Sequence, residues 1–194
     1  MTPTFMGSEP VTATSGTYTG TTVLQDEQHK GLALINALDA AQRQKAIIQV
    51  AKTGNNNVGE AFKDNVVLDY AGIRAAELTA PQQAQLLEVI GTYVRNLRNG
   101  HAQVKMDEVR RHLDETRFAW IGGTGPDSVF YYRIHSPVIL IEFDHQTPIA
   151  LRHLERGQPT REHIHTVIRT PNGNDYGKDL LHQHYQQHPH PHQH

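Results

Sequence analysis

The sequence predicts an α+β fold: a helical N-terminal part packed on a small, mostly antiparallel sheet. Three observations carry this. Apolar residues recur at helical spacing only before about residue 115. From Phe118 onward the chain breaks into short runs of strand-like alternation. The runs at 129–135 and 138–144 are separated only by Ser136-Pro137, and so short a connection joins antiparallel neighbours. With 194 residues the chain fits one domain.

Residues 1–23 are rich in Thr, Gly and Ser, with Pro3 and Pro10, and are expected as an extended lead-in. A single α+β domain is expected over 24–187. Its first helix begins near Asp26, with Leu32, Ile35 and Leu38 at helical spacing. Asp39 then reads as an N-cap, with Gln42 completing a capping box. Ala46, Ile47 and Val50 supply that helix's apolar side, and Gly54-Asn55-Asn56-Asn57 is expected to stop it. The phrase recurs at Leu78-Thr79-Ala80-Pro81-Gln82, a second helix start with proline in the first turn. Leu86, Leu87, Ile90, Val94 and Leu97 form its stripe, and Asn99-Gly100 is expected to end it. A short helix over 104–115 follows. Strands are expected over 118–121, 129–135, 138–144 and 163–169, with a loop over 146–161 and a turn at 170–175. Asp179 to Gln187 reads as a closing helical turn, and the histidine-rich tail at 188–194 as disordered.

Bulk composition narrows the function classes. The apolar content of 37% and mean hydropathy of −0.56 describe a soluble, polar protein. The balance of 18 Lys+Arg against 20 Asp+Glu leaves no basic patch for nucleic acid. No apolar run approaches the roughly 20 residues of a membrane helix, so no membrane partner is expected. The start of the chain lacks a signal-peptide pattern, and the compartment stays open. Cysteine is absent, which excludes disulfides and thiolate chemistry.

Chemistry concentrates in histidine. Eleven of the fourteen lie after residue 134, and His163 and His165 form a His-x-His pair. On a strand, His163, His165, Val167 and Arg169 share one face and Ile164, Thr166 and Ile168 the other. Two imidazoles so placed can bind one metal ion. On the neighbouring strands Glu142 and the trio Tyr131, Arg133 and His135 fall on polar faces. The candidate metal ligands are therefore His163, His165, Glu142 and, near the end, His182. Arg133, Arg169 and Tyr131 are candidates to hold an anionic substrate or to orient Glu142. Imidazole and carboxylate suit a divalent metal ion, zinc or copper ahead of iron. A solvated strand face is the competing reading of the pair, and a salt bridge with arginine that of Glu142. Asp175 reads as a turn cap. No phosphate loop, nucleophile elbow or His-Glu-x-x-His helix is present.

The phrases Phe118-Ala119-Trp120-Ile121-Gly122, Phe130-Tyr131-Tyr132-Arg133-Ile134, Leu140-Ile141-Glu142-Phe143-Asp144 and His163-Ile164-His165-Thr166-Val167, with Asn174-Asp175-Tyr176-Gly177, resemble the C-terminal half of the uncharacterised family catalogued as domain of unknown function 3500. Thr2 to Pro10 is similar to that family's mid-chain segment. The resemblance implies members about twice this length. It leaves open a fragment, a natural short form, or a subunit whose partner is the missing N-terminal half or another copy of the chain. The function expected is a metal-dependent enzyme, hydrolase or oxidoreductase. The alternatives are a non-catalytic metal-binding or storage protein and a structural domain whose histidines bind nothing.

Overall fold

The computed structural model describes residues 2–61, 63, 66–150, 157–171 and 173–188. A seven-stranded sheet forms its spine: β1 (Thr4–Ser8), β2 (Ile47–Gln49), β3 (Ile73–Arg74), β4 (Arg117–Gly122), β5 (Phe130–His135), β6 (Leu140–His145) and β7 (Ile164–Arg169). The strand order is β1-β7-β6-β5-β4-β2, with β3 paired to β4. Every pairing is antiparallel except β2 with β4. The helices are α1 (Gln25–Ala37), α2 (Ala40–Ala46), α3 (Ala80–Val94), α4 (Asn99–Arg111) and α5 (Lys178–Gln187). The fold is α+β, with the helices mainly N-terminal. No helix among the described residues is long and apolar enough to cross a membrane.

Alternation along the strands decides which face is core. Phe118, Trp120, Phe130, Tyr132, Ile134, Ile141, Phe143, Ile164 and Ile168 join Leu34 and Ile35 of α1 and Leu86 and Ile90 of α3 in one cluster. The rings of Tyr132 and Phe143 stack at 5.0 Å, nearly parallel. Tyr132 donates its hydroxyl to the Glu27 carbonyl and contacts the Tyr93 hydroxyl, so its polar tip is satisfied inside the core. His145 ends β6 on this same face. Its Nδ1 accepts from the Phe130 amide at 2.9 Å, and its Nε2 donates to Gln28 Oε1 at 2.8 Å. That ring holds α1 to the sheet.

The two helix starts read from the sequence are present, and they meet. Asp39 Oδ1 accepts from the Gln42 amide at 2.8 Å, and Gln42 Oε1 accepts from the Asp39 amide. Gln82 Oε1 accepts from the Thr79 amide at 2.8 Å. The Gln42 and Gln82 carboxamides then bond each other, so the two caps fasten α2 to α3.

Several boundaries differ from the sequence expectation. The helix capped by Asp39 ends at Ala46 rather than near Gly54, and Ile47–Gln49 becomes a strand parallel to β4. β-branched Ile47 and Ile48 gain more from the sheet edge than from another helical turn. Val50, expected on an apolar helix face, is 79% exposed. Asn99-Gly100 opens α4 instead of closing α3, because asparagine serves helix starts as readily as stops. Thr4–Ser8 of the lead-in is an edge strand on β7. β5 and β6 are antiparallel neighbours, with a turn closed by the Ser136 hydroxyl accepting from the Val138 and Ile139 amides. Of the tail, positions after His188 lie outside the described residues, as do 151–156 of the loop.

Gly31 is where α1 comes closest to the sheet. A Cβ there would lie 2.4 Å from Tyr132 Cε1. Gly31→Ala gains about 1 kcal/mol of helix propensity but overpacks a ring whose hydroxyl is anchored, at roughly 1–3 kcal/mol. The variant should therefore unfold at lower denaturant than the wild type; a higher midpoint would show that α1 does not rest on Tyr132.

Candidate functional site

The face of the sheet away from the helices is polar and nearly as buried. Register aligns Tyr131, Asp144 and His165 in one row and Arg133, Glu142 and Val167 in the next. Glu142 and Asp144 are fully buried. Charges in such a place need partners, and the segment from Lys52 to Glu60 supplies them. Glu142 accepts from the Val58 amide at 2.9 Å, the Gly59 amide at 2.6 Å and the Tyr131 hydroxyl at 2.6 Å. Asp144 accepts from the Asn56 amide at 2.7 Å and pairs with Lys52 Nζ at 2.9 Å. Arg169 donates to the Gly59 and Glu60 carbonyls at 2.6 and 2.9 Å and pairs with Asp175 at 2.7 Å. Asp175 also accepts from the Thr170 amide, the turn cap its sequence context suggests.

Burial pushes the Glu142 and Asp144 carboxyls up from their ordinary range; the Tyr131 hydroxyl and two amides oppose it at Glu142, and Lys52 opposes it at Asp144. Burial pulls the Lys52 ammonium down, against the pull of Asp144. The Tyr131 phenol is held well above its usual range by burial and then by the Glu142 charge.

The His-x-His pair stands beside this network. His163 precedes β7 and His165 lies on it, with rings edge to face and centroids 4.7 Å apart. His163 Nδ1 lies 2.8 Å from the Thr147 carbonyl, with the Glu9 carboxylate at 3.5 Å. A carbonyl only accepts, so Nδ1 carries a hydrogen. In the neutral ring Nε2 is then a lone pair, and it accepts from His165 Nε2 at 3.1 Å. Burial, then the neighbouring His163, lowers the pKa of His165. Gly7 of β1 sits opposite His165 in register, and a Cβ there would lie 2.8 Å from that ring. The absence of a side chain lets the imidazole lie over the edge strand. A cavity of about 500 Å³ opens here, with Phe5, Asn55, Asn57, Glu60, Gln146 and His165 in its walls.

The structure brings together only part of the sequence-predicted set. His163 and His165 are adjacent and share the face opposite Ile164 and Ile168. Glu142 is instead committed to Val58, Gly59 and Tyr131. His182 is exposed on α5, where Gln186 Nε2 donates to it at 2.8 Å. Among the described residues no group of three or more His, Cys, Asp or Glu side chains is placed to hold a metal ion. The predicted substrate side chains hold structure: Tyr131 bonds Glu142, Arg169 grips the loop, and Arg133 donates to the Asp69 carbonyl at 3.2 Å. His135 stacks on Tyr70 at 4.3 Å, and burial pushes its pKa down to about 4. Sequence reasoning missed Lys52, Asn55, Asn57, Glu60 and Glu9. Three asparagines in a row were a signal, but they also spell a helix stop.

What the fold and site define is an α+β protein whose sheet is clad by helices on one face. On the other it is clad by a pinned polar loop bordering a histidine pair and a cavity. The chain belongs to the family described as Protein of unknown function (DUF3500), which it matches over residues 1–178. That match bears out the family read from the strand phrases; it covers nearly the whole chain and gives no support to a C-terminal half. No curated protein and no solved structure matches the chain.

Glu142→Gln keeps one acceptor oxygen and sets an NH2 donor where the other oxygen now takes a backbone amide. It should cost about 1.5–3 kcal/mol and speed hydrogen exchange at Val58 and Gly59; unchanged exchange would show that the loop is held otherwise. A second outcome concerns acid. Burial pushes the His145 pKa down to about 3, against ~6.5 when unfolded. The fold thus favours the neutral ring, and this contribution is complete above pH ~6.5 and lost as pH falls toward 3. His145→Gln should flatten the loss of stability between pH 6.5 and 4 in urea titrations, and an unaltered slope would refute the assignment.

Proposed function

We propose that the protein is a metal-dependent enzyme whose centre is the His163–His165 pair, open toward the neighbouring cavity. The observation that carries this is the 3.1 Å separation of the two Nε2 atoms. Two imidazole nitrogens about 2.0–2.1 Å from one zinc ion lie roughly 2.9 Å apart at a right angle and roughly 3.4 Å apart at a tetrahedral one. The pair falls between these values. The Thr147 carbonyl on His163 Nδ1, with Glu9 alongside, is the kind of support that fixes the tautomer of a ligating histidine. Lowered basicity keeps His165 neutral and able to ligate.

Two histidines leave coordination positions for water and substrate, as catalysis requires. Zinc or copper suits imidazole better than magnesium or calcium. Among the described residues no third ligand joins the pair, and a second copy of this chain is one source of a further ligand. Hydrolysis and oxidation both fit such a centre.

Calorimetric titration with zinc and with copper(II), on the full chain and on a version ending at Gln187, tests the reading. One tight equivalent should survive removal of the tail and disappear in both His163→Ala and His165→Ala. Retention of that equivalent in the double variant would sink the proposal.

A further inference from the structure

The last helix carries a second pair of imidazoles. His184 and His188 stand four residues apart, at the end of α5 and at its C-cap, so both rings lie on one side of the helix. The His188 amide donates to the His184 carbonyl at 2.8 Å, which closes the final turn and fixes that spacing. The ring centres are 5.3 Å apart, with the planes inclined at 44°. Imidazoles that share one ion at about 2.0–2.1 Å have ring centres roughly 4.5 Å apart at a right angle and roughly 5.2 Å apart at a tetrahedral one. The pair sits at the tetrahedral end of that range. Both residues are exposed, so an ion reaches them from solvent. His182 does not belong to the set: two residues from His184 it falls on another side of the helix, and it accepts from Gln186 Nε2.

The place on the helix adds an independent argument. Carbonyls of a last helical turn lack intrahelical donors, and the helix dipole puts partial negative charge there. A cation held by His184 and His188 meets that charge. The helix also gains from a staple. Its described side chains at 181, 182 and 184–187 are all exposed, Leu181 by 50% and Tyr185 by 39%. Its ten residues are fewer than the ~12–15 below which an isolated helix is marginal in water. An ion that binds only the helical spacing adds its binding free energy to the helix.

We propose that His184 and His188 bind one divalent ion, zinc or copper(II), and that the ion staples the last turn of α5. Imidazole ligands favour these ions over magnesium and calcium. The site shares no residue with the His163–His165 pair and does not depend on the reading of that pair.

Residue-resolved NMR tests it on the full-length chain with His190→Gln, His192→Gln and His194→Gln, which removes the competing imidazoles of the tail. Zinc should slow hydrogen exchange of the α5 amides from Tyr185 to His188 about threefold or more, and magnesium should leave it unchanged. Copper(II) should broaden the ring signals of His184 and His188 together. His184→Ala and His188→Ala should each abolish both effects, and His182→Ala should preserve them. The altered positions are exposed, so the metal-free thermal midpoint should stay as it was. The readout is local to α5, so zinc uptake at His163 and His165 does not register in it. The inference is overturned if zinc leaves α5 exchange unchanged, if magnesium slows it equally, if either single variant keeps the effects, or if His182→Ala removes them.

Discussion

Two carboxylates at alternate positions of one central strand, Glu142 and Asp144, set the constraint that organises the second face of this protein. The first face follows from ordinary hydrophobic burial, with aromatic and aliphatic side chains meeting α1 and α3. The second cannot, because its central strand presents two acids that are fully buried. Ionised acids in that position demand donors, and the chain delivers backbone amides, a phenol and an ammonium, all but the phenol from the segment between β2 and β3. The stretch from Lys52 to Glu60, which has neither helix nor strand, is thereby fastened to the sheet face. Arg169 completes the arrangement from β7 by taking the carbonyls of the same loop. Donors and acceptors of one segment are satisfied by opposite charges on adjacent strands.

That arrangement explains what was legible in the sequence. Alternation has a period of two, so Ile141 and Phe143 mark a core face and Glu142 and Asp144 must point away from it. The same rule puts His163 and His165 side by side, as their ring contact shows. The capping boxes at Asp39 and Thr79 were legible because their chemistry is local: two residues three apart satisfy each other's amides. The loop was illegible for the converse reason. Its contacts run through backbone amides at Asn56, Val58 and Gly59, and every residue but proline offers that group. Nothing in the side chains at 55–59 announces that two acids more than 80 residues later will seize them. Arg169 was half legible: an arginine on a polar face suggests an anion, and here it meets the Asp175 carboxylate together with the loop carbonyls.

The parallel pairing of Ile47–Gln49 with β4 was hidden by a different competition. A capped helix start followed by Ala46, Ile47 and Val50 matches the helical period. Period alone does not register that a sheet edge is open nearby. Tertiary pairing overrode local preference over three residues, and the early exit from the helix is what frees the chain to run on as the loop over the acids.

The acids and the histidine pair are connected through one path of hydrogen bonds. Asp144 holds the Asn56 and Asn57 amides, which fixes their neighbour Asn55. Asn55 Oδ1 accepts from the Thr147 amide at 3.0 Å, and the Thr147 carbonyl accepts from His163 Nδ1 at 2.8 Å. His163 Nε2 then faces His165. From the other side Glu9 takes the Ile149 amide at 2.9 Å and lies beside the same Nδ1. A group that merely decorated a solvated strand face would need none of this. His163 is 3% exposed, its tautomer is dictated, and the residue that dictates it is itself held by the pinned loop. The carboxylate that sequence reasoning offered as a ligand belongs to the neighbouring half of the same network. Its work is to hold the loop whose neighbour positions His163, which is why Glu142 lies next to the histidine pair in the sheet while its oxygens meet two backbone amides and the Tyr131 hydroxyl.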